Sequence, residues 1–278
     1  MERRALAAAR MGISVIYDAT NLSARRRKHM AKQMSVQGCA TECVVCVATF
    51  EVCCERQLTR GRKVPTEVID MVRVACYIHQ IPAAVEMINY FNELGYETTC
   101  NIMAISQASF NQIDDALEML GESKVDVIYL VDSYGSLFPE NAAELAKKYL
   151  EYGEKYGKKI GFHGHNNQNL AFANTIETLS YGVSYVDATA LSMGRGAGNC
   201  AMELMLGFLK NPKYSIYSLL RFIENYMLPL KESGVVWGFD LQYMFTGQLN
   251  RHPREAMNFT DKKRNDYTEF YKELLDNY

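Results

Sequence analysis

Short β-branched runs alternate with helical stretches along most of this chain. Apolar runs at residues 13–18, 43–48, 72–78, 97–103, 125–132, 159–165 and 185–190 read as strands, being short, rich in Val and Ile, and bounded by turn residues. Between the later ones, apolar residues recur at helical spacing over 81–94, 111–120, 139–156, 169–181 and 201–210. The 139–156 segment carries both helix punctuation marks, Pro139 near its start and Gly157 just past its end. This alternation predicts a parallel α/β architecture. Residues 214–278, rich in aromatics, read as helices that cap or extend it.

Polar chemistry collects where the predicted strands end, the place where barrels and open α/β sheets build sites. The 159–165 run closes as GFHGHNN, so His163 and His165 are two residues apart and share a face of the strand. Two imidazoles so placed can grip one divalent ion. A polar strand end held by hydrogen bonds is the alternative, but the pair is followed by Asn166, Asn167 and Asn169, an N/O donor set suited to Mn²⁺, Co²⁺ or Zn²⁺. The next run ends VDATALSMGRGAGNC, where Gly194, Gly196 and Gly198 let backbone approach a ligand closely. Alone, such a turn is only a turn; directly after H-x-H it is more specific. Arg73, His79 and Asn101 also fall at or near strand ends and can line the same mouth, with no catalytic step assigned to them.

Composition narrows the partner. A net charge of −2 over 278 residues draws the chain toward neither nucleic acid nor an anionic membrane, which leaves a small molecule as the expected partner. The eight cysteines sit mostly inside apolar runs, the usage of buried thiols in a reducing compartment rather than of a disulfide framework. Cys43 and Cys46 form a C-x-x-C, but residues three apart in a strand face opposite sides, against a zinc or redox role. No apolar run reaches the ~18 residues that cross a bilayer, and MERRALAAARMG has neither a long apolar core nor a cleavage site. A cytoplasmic protein is expected.

With those residues in view, GFHGHNNQNLAFANTIETLSYGVSYVDATALSMGRGAGNCAMELMLGFL resembles the last two βα units of the 4-hydroxy-2-oxovalerate aldolases. These belong to the DRE-TIM metallolyases, together with 3-hydroxy-3-methylglutaryl-CoA lyase and isopropylmalate synthase. MVRVACYIHQ, ETTCNIMAIS and VIYLVDSYGSLFP resemble the family's fourth, fifth and sixth strands, so the likeness runs over about 72–278. It implies a partial (β/α)8 TIM barrel made of family strands 4–8, and a divalent metal, most often Mn²⁺ or Mg²⁺, on His163 and His165. It further implies a 2-oxo acid substrate cleaved to pyruvate and an aldehyde, with the metal as Lewis acid. Position by position, Ser133 falls where the family contacts a substrate carboxylate, with helix capping as the alternative. Gly194 and Gly196 fall on the substrate side. Asn199 matches a metal-ligating asparagine of the lyase branch, with a turn as the alternative. A homo-oligomer is compatible with all of this.

The family's first strand carries a D-x-x-x-R-D-G-like segment that supplies a metal-binding Asp and an enolate-stabilising Arg, and this sequence contains none. The second and third family strands are missing too. In their place, SVIYDATNLSARRRKHMAKQ and CVVCVATFEVCCERQLTRGRKVPTEVI resemble the second half of a small P-loop kinase of the polynucleotide-kinase or zeta-toxin type, a βαβ fragment. Its lid arginines would map to Arg56, Arg60 and Arg62. No G-x-x-x-x-G-K-[ST] occurs, so there is no amide cradle for phosphates and nucleotide binding is disfavoured. Arg25, Arg26, Arg27 and Lys28 then read as a solvated helix face.

The expected organisation is a kinase-like segment over 1–71, a partial aldolase barrel over 72–212 and a helical extension over 213–278. A barrel fragment leaves an open edge and one bare sheet face. A hybrid sheet, with the N-terminal strands joined on and Asp18 approaching the metal in place of the lost Asp, would cover it. Three functions follow: a carbon–carbon lyase with activity reduced by the missing residues, a non-catalytic remnant that binds metal or a partner, or a nucleotide-binding protein.

Overall fold

The structure is a computed structural model that describes residues 44–46, 71–210 and 215–276. The strand expected at 13–18, Asp18, the basic run at 25–28 and Arg56, Arg60 and Arg62 lie outside the described residues, as do Cys43 and half of the strand expected at 43–48.

Among the described residues six strands form one sheet: β1 Val44–Cys46, β2 Met71–Tyr77, β3 Glu97–Met103, β4 Val127–Asp132, β5 Lys159–Gly164 and β6 Tyr185–Val186. All pairs are parallel, and spatial order equals chain order. From β2 onward each crossover is a helix: α1 Ile81–Glu93, α2 Phe110–Glu122, α3 Pro139–Tyr156 and α4 Ala171–Tyr181. Crossovers of one hand between nearest neighbours put every helix on the same side of the sheet, which is barrel winding rather than doubly wound winding. The parallel α/β reading therefore holds, in its partial-barrel form.

Side-chain alternation shows the two faces. In β2, Val72, Val74 and Cys76 are buried against the helices, which places Arg73 and Ala75 on the other face. Strand β4 is buried on both sides: Ile128 and Leu130 join α1, α2 and α3 in the main core, while Val127, Tyr129 and Val131 pack with Tyr185 on the inner face. Burying one such aliphatic side chain contributes about 1.5–3 kcal/mol, so this core accounts for the order of β2 to β5. Cys76, Cys100 and Cys200 are free and buried, as their apolar settings suggest.

Helix ends follow the local chemistry. Pro139 opens α3, and Gly157, at φ +66°, closes it by donating to the Glu154 carbonyl. Ser109 and Gln112 form a reciprocal capping box at the start of α2. The last expected strand, 185–190, is corrected: only Tyr185 and Val186 pair with β5. Leu191 and Ser192 take left-handed φ values of +51° and +55°, which turn the chain off the sheet plane.

The tail is helical, as expected. After α5 Met202–Leu209 come α6 Ile216–Phe222, a π-helical turn Ile223–Met227 and α7 Leu228–Glu232, which share a small core with Trp237. Three further helices, α8 Leu241–Gln248, α9 Arg254–Asp261 and α10 Tyr267–Asp276, pack around Phe259, Phe270 and Leu274. This group is tied over the carboxyl ends of the strands. Asn250 makes two side-chain hydrogen bonds to Ser106, at 2.7 and 2.9 Å, and Asn167 Nδ2 donates to the Tyr243 carbonyl at 3.0 Å. No helix among the described residues is long and apolar enough to cross a membrane.

Candidate functional site

The carboxyl ends of β4, β5 and β6 bring one polar cluster together. His163 is the last-but-one residue of β5 and His165 follows the strand; their ring centroids are 5.1 Å apart with the planes at 73°. The period-two spacing thus delivers both imidazoles to one place. His163 Nδ1 lies 2.8 Å from Asp187 Oδ2. An ionised carboxylate only accepts, so Nδ1 carries the proton, and in the neutral ring Nε2 keeps its lone pair. His165 is pushed down to about 3 by burial, helped by His163 and Arg195, so it is neutral at physiological pH.

Asp187 is the hub of the inner face. It accepts two hydrogen bonds from Arg73, at 2.9 and 2.6 Å, in a fork-to-fork pair. Burial would raise its carboxyl, but His163 and Arg73 outweigh burial and hold it well below the usual carboxylate range. The Arg73 guanidinium also lies 4.3 Å from the centroid of the Tyr129 ring. Gly161 makes this possible: a Cβ there would come within 2.7 Å of that ring. Burial pushes the Tyr129 hydroxyl above its ordinary range, with Asp187 acting in the same direction.

Asn199 reaches the histidines from the loop after β6. His165 and Asn199 form an isolated antiparallel bridge, and the Asn166 amide donates to the Gly198 carbonyl at 2.9 Å. Asn199 Nδ2 donates to the Met193 carbonyl at 3.0 Å, while Oδ1 is buried with no hydrogen-bond partner. A buried, unpartnered carbonyl oxygen is unfavourable by about 1–3 kcal/mol unless something binds it. Gly194 and Gly198 shape this loop: a side chain at Gly194 would run into Asn199, and Gly198, at φ +86°, leaves no room against the Ser192 carbonyl.

The other residues singled out from sequence divide. Ser133 accepts the Ala104 amide at 2.8 Å through Oγ, which clamps the loop after β4 to the loop after β3; its alternative reading as a helix cap is corrected. Gly196, at φ +58°, sits against the Tyr243 ring. Asn101 is buried and accepts from Thr99, with a long contact from Arg73 Nε at 3.5 Å. His79 is exposed and stacks on Tyr77 at 5.9 Å, away from the histidine pair's hydrogen-bonded chain. Asp132, fully buried at the end of β4, accepts the amides of Ser136 and Leu137 at 3.0 and 3.2 Å, yet burial still pushes its carboxyl up to about 6.

Sequence reading missed Asp187, although an acid closing a strand two residues beyond Tyr185 was a usable signal. It also missed Arg195, the lone cation inside the glycine loop. Among the described residues no group of three or more His, Cys, Asp or Glu side chains could hold a metal, so donors of other kinds would have to complete a cation site here. His163 Nε2, His165 and the orphaned Asn199 Oδ1 are nitrogen and oxygen donors of the kind a divalent ion takes, and their chemistry fits one.

A barrel-wound parallel sheet with a strand-end histidine pair defines a TIM-barrel-like α/β class, and the comparisons name the family. Residues 75–221 match the HMGL-like family, and the chain belongs to that family. Residues 1–76 match a second family, described as an AAA domain, so the two matches meet within β2. The 4-hydroxy-2-oxovalerate aldolase of Thermus thermophilus is 31% identical over 166 residues, covering 58% of this chain and 47% of that one. That of Geobacillus thermodenitrificans is 29% identical over 166 residues, covering 58% and 48%. The chain therefore spans about half the length of the curated relatives it matches. Among solved structures, the N-terminal domain of a protein described as an aldolase from Bacteroides vulgatus superposes with a TM-score of 0.69 at 23% identity, over 93% of this chain and 89% of that one. The HMG-CoA lyase of Bacillus subtilis superposes at 0.53 and 16% identity, over 69% and 70%.

Proposed function

We propose that this chain is a metal-dependent carbon–carbon lyase of the 4-hydroxy-2-oxo acid aldolase type, acting on a small 2-oxo acid and releasing pyruvate and an aldehyde. The observation that carries this reading is the unpartnered Oδ1 of Asn199, a residue bridged to His165, next to the His163 ring that Asp187 orients. His163, His165 and Asn199 would hold Mn²⁺ or Mg²⁺, which when bound supplies Lewis-acid polarisation of the substrate's oxygens. The chain's own groups do the positioning: Asp187 and Arg73 fix the His163 ring, and the Ser133 clamp and Gly194 and Gly196 shape the floor. The domain division in this reading keeps a kinase-like segment over 1–71, the barrel portion over 72–212 and the helical extension over 213–278.

A second reading is favoured by one feature, the lack of any carboxylate among the three donors. With no Asp on the ion and no first-strand Arg in the sequence, binding without turnover is the outcome if those losses are decisive; each is of the size of several kcal/mol in a transition state. Nucleotide binding has no comparable support. Metal analysis of the purified chain, combined with a pyruvate-release assay on 4-hydroxy-2-oxovalerate and Mn²⁺, separates the cases. Metal with pyruvate supports the lyase and metal alone the binding protein. Neither would sink both.

A further inference from the structure

The glycine loop does more than carry Asn199. Between Gly194 and Gly196 it presents Arg195, whose side chain is exposed at the mouth. The loop is held on both sides: Gly196 is seated on the Tyr243 ring, the Gly238 amide donates to the Gly196 carbonyl at 3.0 Å, and the Gly198 amide donates to the Arg195 carbonyl at 3.1 Å. Arg195 Nη2 makes one long hydrogen bond, 3.4 Å to the Ser133 carbonyl, which stations the guanidinium above the end of β4. Among the described residues no carboxylate lies within ion-pair distance of it.

Polar and aromatic side chains stand near it. Tyr134, from the loop after β4, stands edge-on to His252 at 5.5 Å between centroids, and the field of Arg195 is felt by both and by Tyr243 and His165. Burial and the neighbouring Arg254 and Arg195 push His252 down. One exposed guanidinium, anchored to the end of β4 and electrostatically coupled to Tyr134, Tyr243, His252 and His165, thus stands near the histidine pair.

We propose that Arg195 is the centre of an anion subsite next to the two-histidine site, taking a second carboxylate on the far end of the substrate. This rests on the lyase reading and sharpens its substrate class to 2-oxo acids with an acidic tail. A carboxylate matches the planar fork, which donates two parallel N–H bonds to one carboxylate edge.

The test compares wild type with Arg195→Gln by calorimetric titration of the Mn²⁺-loaded chain with 2-oxoglutarate and with 2-oxobutyrate. The expected result is that wild type binds the dicarboxylate about tenfold more tightly than the monocarboxylate. Arg195→Gln is expected to erase that preference while 2-oxobutyrate binding stays within about twofold. Equal weakening of both ligands would overturn the proposal, since Arg195 would then serve the 2-oxo carboxylate or the loop itself. Absence of any preference in wild type would overturn it too. A metal-free titration with glutarate and butyrate keeps the two ideas apart. If Mn²⁺ does not bind, the lyase reading fails, yet an Arg195-dependent preference for glutarate still supports the subsite; no such preference overturns it.

Discussion

The imidazole of His163 and the carboxylate of Asp187 meet at 2.8 Å across strands β5 and β6, with Arg73 closing the other side of the carboxylate. The contact fixes both the ring orientation and the nitrogen that remains free. Asp187→Asn is therefore expected to weaken Mn²⁺ binding by about 10–100-fold, the usual consequence of losing a ligand's carboxylate partner. It also leaves Arg73 half-buried without its counter-charge, which lowers stability by about 3 kcal/mol. Calorimetric Mn²⁺ titration and urea unfolding check the two parts, and unchanged Mn²⁺ affinity would contradict the orienting role.

Asn199→Ala separates metal binding from folding. Truncation removes the hydrogen bond to the Met193 carbonyl but also the orphaned Oδ1, and the two effects oppose each other. Metal-free stability should shift by less than about 1 kcal/mol, whereas Mn²⁺ affinity should fall about tenfold, equivalent to ~1.4 kcal/mol. Thermal melts with and without Mn²⁺ read both. A metal-free loss as large as the metal-bound one would make Asn199 merely a turn residue.

Gly161→Ala tests the inner face. The new methyl group meets the Tyr129 ring at 2.7 Å and must displace it from Arg73. Overpacking of this kind costs about 1–3 kcal/mol. A variant that melts with wild type would show that the ring moves freely.

Asp132 gives a pH signature. Its carboxyl is raised to about 6 in the fold against 3.8 unfolded, so between those values the native state binds more protons. By linkage, its contribution to stability falls as pH rises through 6 and recovers as pH falls toward 3.8. Wild type should therefore gain on Asp132→Asn over that window, by up to about 3 kcal/mol. Urea midpoints of both proteins at pH 4 and 7 measure it; a constant difference would place the titration elsewhere.

The sequence was legible where a local rule decides. Period-two spacing put His163 and His165 together, and Pro139 and Gly157 marked α3 to the residue. Strand β6 was overextended because Val186 and Thr189 are β-branched and no Gly or Pro interrupts the run, while the left-handed turn at Leu191 and Ser192 is set by the packed loop, with no glycine to announce it. Asp187 was visible as a strand-end acid, but its partner was illegible for a different reason. Its partner Arg73 is 114 residues away, and only the assembled inner face, with Gly161 making way for Tyr129, brings them together. Ser133 was read by resemblance as a substrate contact, with a helix cap as the alternative, but which amide it would meet depended on the neighbouring loop after β3.

Strand order that equals chain order has an evolutionary consequence. In the sheet each strand pairs only with the strand before and the strand after it, so a cut between neighbours severs a single ladder. Such a sheet is divisible like a zipper, and foreign coding sequence joined at one edge meets one row of backbone partners. The seam between the two family matches falls in β2, whose pairing with β3 runs unbroken from Met71 to Tyr77. Shuffling at that row preserves everything downstream, including the histidine pair, while replacing whatever the upstream units once contributed.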